Sequence, residues 1–166
     1  MLEDLTASWF AGGSPYLLLM VPALAFVESC VGIGLLVSGI FLLSTSTLLY
    51  ASGNYALWQI VLPAFAGALA GDHAGYFAGR WLGPGIWESR FLQRHQHRAK
   101  QAETFLLKSA PWAICLGRLT PATRSITPLV AGVSGMPAAR FHGFDLLACT
   151  LWATGLAALV TSLSTL

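Results

Sequence analysis

Three long stretches of this chain, residues 5–27, 29–71 and 146–166, contain no Asp, Glu, Lys or Arg. Each meets or exceeds the roughly 20 apolar residues that carry a helix across a bilayer. Polar and turn-forming positions subdivide them. The chain is apolar from Pro15 to Val27, is interrupted at Glu28, and then reads "CVGIGLLVSG", with Gly32, Gly34 and Gly39 close together. A second apolar run from Ile40 to Ser52 ends at "SGN", a turn signal. Residues 55–79 predict one spanning helix, and a last one runs from about Phe141 to Leu163. Before them all, Trp9 and Phe10 suit an interfacial start at the headgroup belt.

One segment breaks the pattern. The apolar run 111–116 is too short to span, and "GRLTPATRSITPLVAG" follows it with Arg118, Arg124, Pro121 and Pro128. Proline breaks a continued helix, and broken backbone at membrane depth survives only where protein or a watery cavity covers it. The expectation is a re-entrant hairpin over about 111–136. Sliding the chain by 96 residues lays 14–39 on 110–135 without a gap, with five identities in 26 positions. Pro15 meets Pro111, Ser29 meets Ser125, "VSG" meets "VSG", and Glu28 falls on Arg124. Paired interrupted segments in corresponding positions point to a transporter site. A first re-entrant hairpin is therefore expected over about 15–40, facing the second as an inverted repeat.

Composition agrees with a membrane solvent: 55% hydrophobic, 10% charged, mean hydropathy +0.66, against about 25% charged for a soluble domain. The fold class expected is an all-α polytopic membrane protein, one domain over 1–166. All nine Lys and Arg lie at position 80 or later, five of them between 88 and 108. The positive-inside rule makes the loop 82–109 cytoplasmic. There Phe91, Leu92, His95, Ala99, Ala102 and Leu106 share one helical face opposite the charges, as in an interfacial amphipathic helix. The basic stretch lacks the aromatic interleaving of a nucleic-acid site. Cys30, Cys115 and Cys149 fall in apolar segments without metal-ligand spacing and read as small hydrophobes. Glu3 and Asp4 stand where a cleavable signal would need basic residues.

Chemistry rests on the few charges at depth: Glu28, Asp72, Arg80, Arg118 and Arg124, with Arg140 and Asp145 nearer the margin. Each costs roughly 2.5–3.5 kcal/mol to insert at a helix centre, so each pairs or works. In a purely structural reading Glu28 and Arg124 pin the two hairpins together, and Asp72 pairs with Arg118 or Arg80. In a functional reading the surplus of guanidinium groups binds an anion, phosphate above all, and Glu28 carries a proton. Gly71, Gly75, Gly79 and Gly83 form a small-residue seam for close helix contact, within the chain or in a homo-oligomer. His73 reads as a polar neighbour of Asp72. No triad, HExxH or carboxylate cluster is present in the sequence, so neither an enzyme nor a cofactor or metal is expected.

The order "ESCVGIGLLVSG", "GALAGDHAGYFAGRWLG", "GRLTPATRSITPLVAGVSGMPAARF" and a late Trp152 resembles the DedA family of bacterial inner-membrane proteins, also called VTT-domain or SNARE-associated proteins. The pattern G-R-x-x-P-x-x-R-x-x-x-P-x-x-A-G-x-x-x-M fits Gly117 to Met136 without a gap. The resemblance implies two facing hairpins and translocation of undecaprenyl phosphate or another anionic lipid, with dependence on a proton or sodium gradient proposed for bacterial members. It implies transport roles for Glu28, Asp72, Arg80, Arg118 and Arg124, with Gly34, Gly39, Pro121, Pro128 and Gly132 shaping the hairpins. The sequence departs from the pattern after the first hairpin. Ser38 stands in place of a proline, and Ile40 in place of an acid thought to serve ion coupling. The alternative function is a proton-coupled antiporter of a small solute or ion.

Overall fold

The computed structural model describes residues 15–30, 39–83, 85, 104, 114, 117 and 124–165. Among them are five helices and no strand: α1 (Pro15–Ser29), α2 (Gly39–Ala51), α3 (Leu57–Leu82), α4 (Thr127–Val133) and α5 (Ala138–Leu163). The expectations for residues 1–14, Gly34, most of the loop 82–109, Cys115, Arg118 and Pro121 fall outside the described residues.

The helix ends follow local chemistry. α1 stops just after Glu28, where the apolar run stops. α2 ends in the expected turn, with the Ser52 hydroxyl donating to the Leu49 carbonyl at 2.7 Å and Gly53 at φ 72°. At the start of α3 the Ala56 N–H donates to Gln59 Oε1 at 2.8 Å, satisfying a donor that a helix start leaves open. α4 closes in a paired arrangement. Met136 N–H donates to the Ala131 carbonyl and Gly135 N–H to that of Gly132, with Gly135 at φ 67°. This is the Schellman geometry, and it requires a residue at ease in the left-handed region. Pro137 then lets α5 begin at once.

α3 is the axis of the structure. Its first half contributes Ile60, Ala64 and Ala68 to a core shared with Val21 and Ala25 of α1, Leu42 and Leu49 of α2, and Leu156 and Val160 of α5. Its second half contributes Tyr76 to another core, with Val130 and Ala131 of α4, Met136, and Phe141 and Ala148 of α5. The outer surface is apolar as well. Tyr16, Leu19, Phe41, Trp58, Leu62, Phe77, Leu147, Leu151 and Leu159 are all exposed. A helix set that is apolar outside as well as inside suits lipid. α5 is long and apolar enough to cross a membrane. Its exposed Thr150 and Thr154 hydroxyls donate to the carbonyls four residues back, at 2.8 and 2.7 Å. That satisfies them without water.

The glycine seam works inside the chain. A Cβ on Gly71 would lie 2.7 Å from the Phe26 carbonyl oxygen, and one on Gly67 would overlap the Pro22 carbonyl. Both positions bring α1 onto α3 backbone to backbone. Lower on the same helix, a Cβ on Gly79 would overlap the Leu129 carbonyl, and one on Gly132 of α4 would overlap that of Tyr76. Gly67 therefore belongs to the seam. Gly83 does not: at φ 64° it caps α3, with open space around it.

Candidate functional site

Between the two apolar cores lies a buried polar layer built from four elements. Glu28, at the last turn of α1, is 4% exposed, and Arg124, three residues before α4, is 9% exposed. Arg124 Nη1 donates to Glu28 Oε1 at 2.5 Å. The two positions that coincide when the sequence is slid by 96 residues thus meet each other in space.

The surroundings of the pair are specific. Gly39 opens α2 beside Glu28, where a Cβ would come within 2.5 Å of Oε1, so glycine is what lets the carboxylate reach the guanidinium. Arg124 Cζ lies 5.2 Å from the ring centroid of Trp152 on α5, within range of a cation–π contact. Nη2 of Arg124 is buried and has no hydrogen-bond partner among the described residues. The hydroxyls of Ser29 and Ser125, another pair of positions matched by the slide, are likewise buried without partners there. One tethered nitrogen, one open nitrogen and an aromatic face make Arg124 a guanidinium held in place with donor capacity to spare.

Asp72 is 1% exposed and faces α5, where Asp145, also 1% exposed, and Cys149 stand one turn apart. Donor atoms of the three lie within 4.8 Å of one another. Cys149 Sγ lies 3.7 Å from Asp72 Oδ2. Beside them, His73 Nδ1 lies 3.6 Å from Asp145 Oδ2 and 2.8 Å from the Leu69 carbonyl. Its ring stacks on His142 at 4.3 Å and 13°. Sequence reasoning passed over this group. The sequence places Asp145 at the margin of the charges, makes His73 a polar neighbour of Asp72 and Cys149 a small hydrophobe, and draws no link among them. The available signal is the four-residue spacing of Asp145 and Cys149 on a helix whose only other charge, Arg140, lies in its first turn.

Arg80 goes elsewhere. Its Nη1 donates to the Tyr76 hydroxyl at 3.1 Å and to the Met136 carbonyl at 3.2 Å, and its side chain is exposed. Eight residues at 100° each leave it about 80° round the helix from Asp72, enough to carry it out of the buried layer. Tyr76 itself donates to the Met136 carbonyl at 2.5 Å, so Tyr76 and Arg80 together hold the joint between α4 and α5. Pro128 is buried in the first turn of α4, where its missing N–H costs nothing.

A family model, the VTT domain, matches residues 14–162. The chain belongs to the VTT-domain, or DedA, family. Relatives of this VTT-domain protein are membrane proteins. An uncharacterized membrane protein of Mycobacterium leprae is 35% identical over 142 residues, covering 82% of this chain and 63% of that one. One from Buchnera aphidicola is 28% identical over 151 residues, 91% of this chain and 59% of its own length. The inner membrane protein YabI of Escherichia coli is 27% identical over 151 residues, 91% of this chain and 59% of YabI. The chain therefore spans about three-fifths of the length of these relatives. No solved structure matches it.

Proposed function

We propose that this protein translocates a lipid with an anionic headgroup, undecaprenyl phosphate or a lipid of like charge, across the bacterial inner membrane. The observation that carries this reading is Arg124. A guanidinium nine-tenths buried, clamped on one side by Glu28 and Trp152 and open at Nη2, suits a phosphate oxygen, which accepts charge-assisted hydrogen bonds from planar donors. Arg118, six residues earlier in the same motif, would supply the second cation. The two interrupted segments act as re-entrant hairpins, with the loop 82–109 on the cytoplasmic side. The headgroup passes between them while the tail stays in lipid. Glu28 is the competitor that releases it: when the carboxylate reclaims both guanidinium nitrogens, the phosphate leaves.

The test is movement of a fluorescent polyprenyl phosphate in proteoliposomes, beside a zwitterionic phospholipid. The reading expects transport of the anionic lipid, with selectivity lost in Arg124→Ala. Unchanged selectivity in that variant would overturn it. A proton-linked flux of small solute without lipid movement would favour the antiporter instead.

A further inference from the structure

Hydroxyl groups in this protein follow two habits. Those of Ser134, Thr150, Thr154 and Thr161 each donate to the carbonyl four residues back, at 2.7 to 3.0 Å. A helix in lipid satisfies a polar side chain in this way. Ser29 and Ser125 do otherwise. Ser29 closes α1 with the Ala25 carbonyl four residues behind it, yet its hydroxyl is buried without a hydrogen-bond partner among the described residues. The same holds for Ser125 in the turn before α4. The two serines are 1% and 0% exposed, so bulk water does not serve them either. Buried hydroxyls are ordinarily paired, and one left open calls for a reason.

Their place in the chain supplies one. Ser29 directly follows Glu28 and Ser125 directly follows Arg124, so the Cα of one serine stands about 3.8 Å from that of each member of the buried ion pair. Ser29 rests on α3 at Gly71, where an added Cβ would come within 2.7 Å of the serine Cβ. That contact turns the residue to the helix interface and away from lipid. Nη2 of Arg124, with its two N–H groups, is the third open donor of the pair's surroundings.

We propose that Ser29 and Ser125 are headgroup-binding residues, whose hydroxyls act with Arg124 Nη2 to hold the oxygens of a phosphate monoester. The proposal deepens the translocase reading and rests on it for the lipid that carries the phosphate. The chemistry of the open groups selects the guest. A guanidinium nitrogen only donates, so what meets Nη2 must accept, and a cation is excluded. Glu28 Oε1 already takes one hydrogen bond from Nη1, which leaves Arg124 part of its capacity. Neutral hydroxyls add hydrogen bonds to the guest without adding charge beside that carboxylate. Donors fixed in direction favour oxygen lone pairs over a spherical halide. Three donor groups match the three unesterified oxygens of a monoester; a diester offers two and brings a second substituent into the same buried layer.

Ser46 serves as the control. It is 0% exposed and its hydroxyl is equally open among the described residues. It lies on α2 seven residues beyond Gly39, the residue that adjoins Glu28, which is a rise of about 10 Å.

The experiment is thermal unfolding of the protein in phosphatidylcholine nanodiscs, titrated with farnesyl phosphate. Farnesol, inorganic phosphate and phosphatidylglycerol form separate arms. A guest that binds only the folded state raises the melting temperature. Farnesyl phosphate should raise it, and farnesol and phosphatidylglycerol should not. The concentration that gives half the rise should be about tenfold higher in Ser29→Ala and in Ser125→Ala, the loss of one hydrogen bond to a charged acceptor, and unchanged in Ser46→Ala. Without ligand the two serine variants should melt no lower than the unaltered protein, because no bond within the protein is lost. Lower melting with an unchanged midpoint would make the serines structural and overturn the proposal. An equal loss in Ser46→Ala would overturn it too, as would an equal rise with phosphatidylglycerol. No rise with either phosphate compound in the unaltered protein would do so whether or not any variant folds. A rise with inorganic phosphate that matches farnesyl phosphate and weakens in both serine variants would keep the cradle and sink the translocase reading. Movement of polyprenyl phosphate in proteoliposomes that ignores both serine variants would do the reverse.

Discussion

Reversing the Glu28–Arg124 pair separates what it does for the fold from what it does for a ligand. Arg124→Ala removes the 2.5 Å hydrogen bond and the contact over Trp152. It leaves Glu28, 4% exposed, beside a hole. Breaking a buried pair from one side costs about 3–5 kcal/mol, and the lost cation–π contact adds about 0.5–2 kcal/mol. The folded-to-unfolded ratio should fall by more than about a hundredfold, at tenfold per 1.4 kcal/mol. Glu28→Leu alone strands Arg124 and should cost a similar amount. The double variant Glu28→Leu/Arg124→Leu strands neither charge and should be far more stable than the sum of the singles implies. The reversed pair, Glu28→Arg with Arg124→Glu, keeps the ion pair and forfeits only the Trp152 contact, so it should recover most of the loss. It should still fail to select anionic lipid, because the guanidinium has moved from the second hairpin to the first. Unfolding in mixed detergent micelles, followed by tryptophan fluorescence, reads the stabilities. Additivity of the two single costs within about 0.5 kcal/mol would refute the reasoning.

Other consequences can be tested on the same preparations. Gly132→Ala should cost about 1–3 kcal/mol, because its Cβ meets the Tyr76 carbonyl and, at 2.8 Å, the Arg80 nitrogen, both rigid backbone; an unchanged melting temperature would count against the close contact. Gly83→Ala meets open space at φ 64° and should cost only about 1 kcal/mol of backbone strain, with no effect on helix–helix crosslinking between α3 and α4. Tyr76→Phe leaves the Met136 carbonyl with the Arg80 guanidinium as its side-chain donor among the described residues, at 3.2 Å, and should cost about 1–3 kcal/mol. Ile40→Asp places a charge on an exposed apolar face. It should impair insertion by up to about 2.5–3.5 kcal/mol without altering the pH dependence of transport, and a changed pH profile would mean that α2 faces the site.

What the sequence discloses is set by the range of the interactions. α3 and α5 are legible because a largely apolar run with turn residues at its ends is a local property, and Glu28 marks the end of α1 for the same reason. The meeting of Glu28 with Arg124 coincides with the 96-residue slide, which lays the two positions on each other. No such regularity ties Asp72 to Cys149, 77 residues away, or His73 to His142, so that cluster emerges only when α3 and α5 are packed. Gly79 and Gly83 look alike in a four-residue series, yet one is a helix contact and the other a cap. The difference is where the helix stops, which depends on the backbone after Leu82.

The glycine contacts also limit which parts can move. At Gly67 and Gly71 the backbone of α1 rests on that of α3, and at Gly79 and Gly132 the backbone of α4 does the same. Carbonyls seated against bare Cα atoms cannot slide by a fraction of a turn without striking the next side chain. α1, α3 and α4 are thus geared into one rigid block that holds both Glu28 and the helix following Arg124. Among the described residues α5 meets that block without such backbone contacts, through side chains alone: Leu156 and Val160 in one core, and flat rings at its other end, Phe141 on Tyr76 at 4.4 Å and His142 on His73 at 4.3 Å. In the translocation cycle proposed above, an opening of the buried layer toward lipid would be a swing of α5 against this frame, with Trp152 lifting off Arg124.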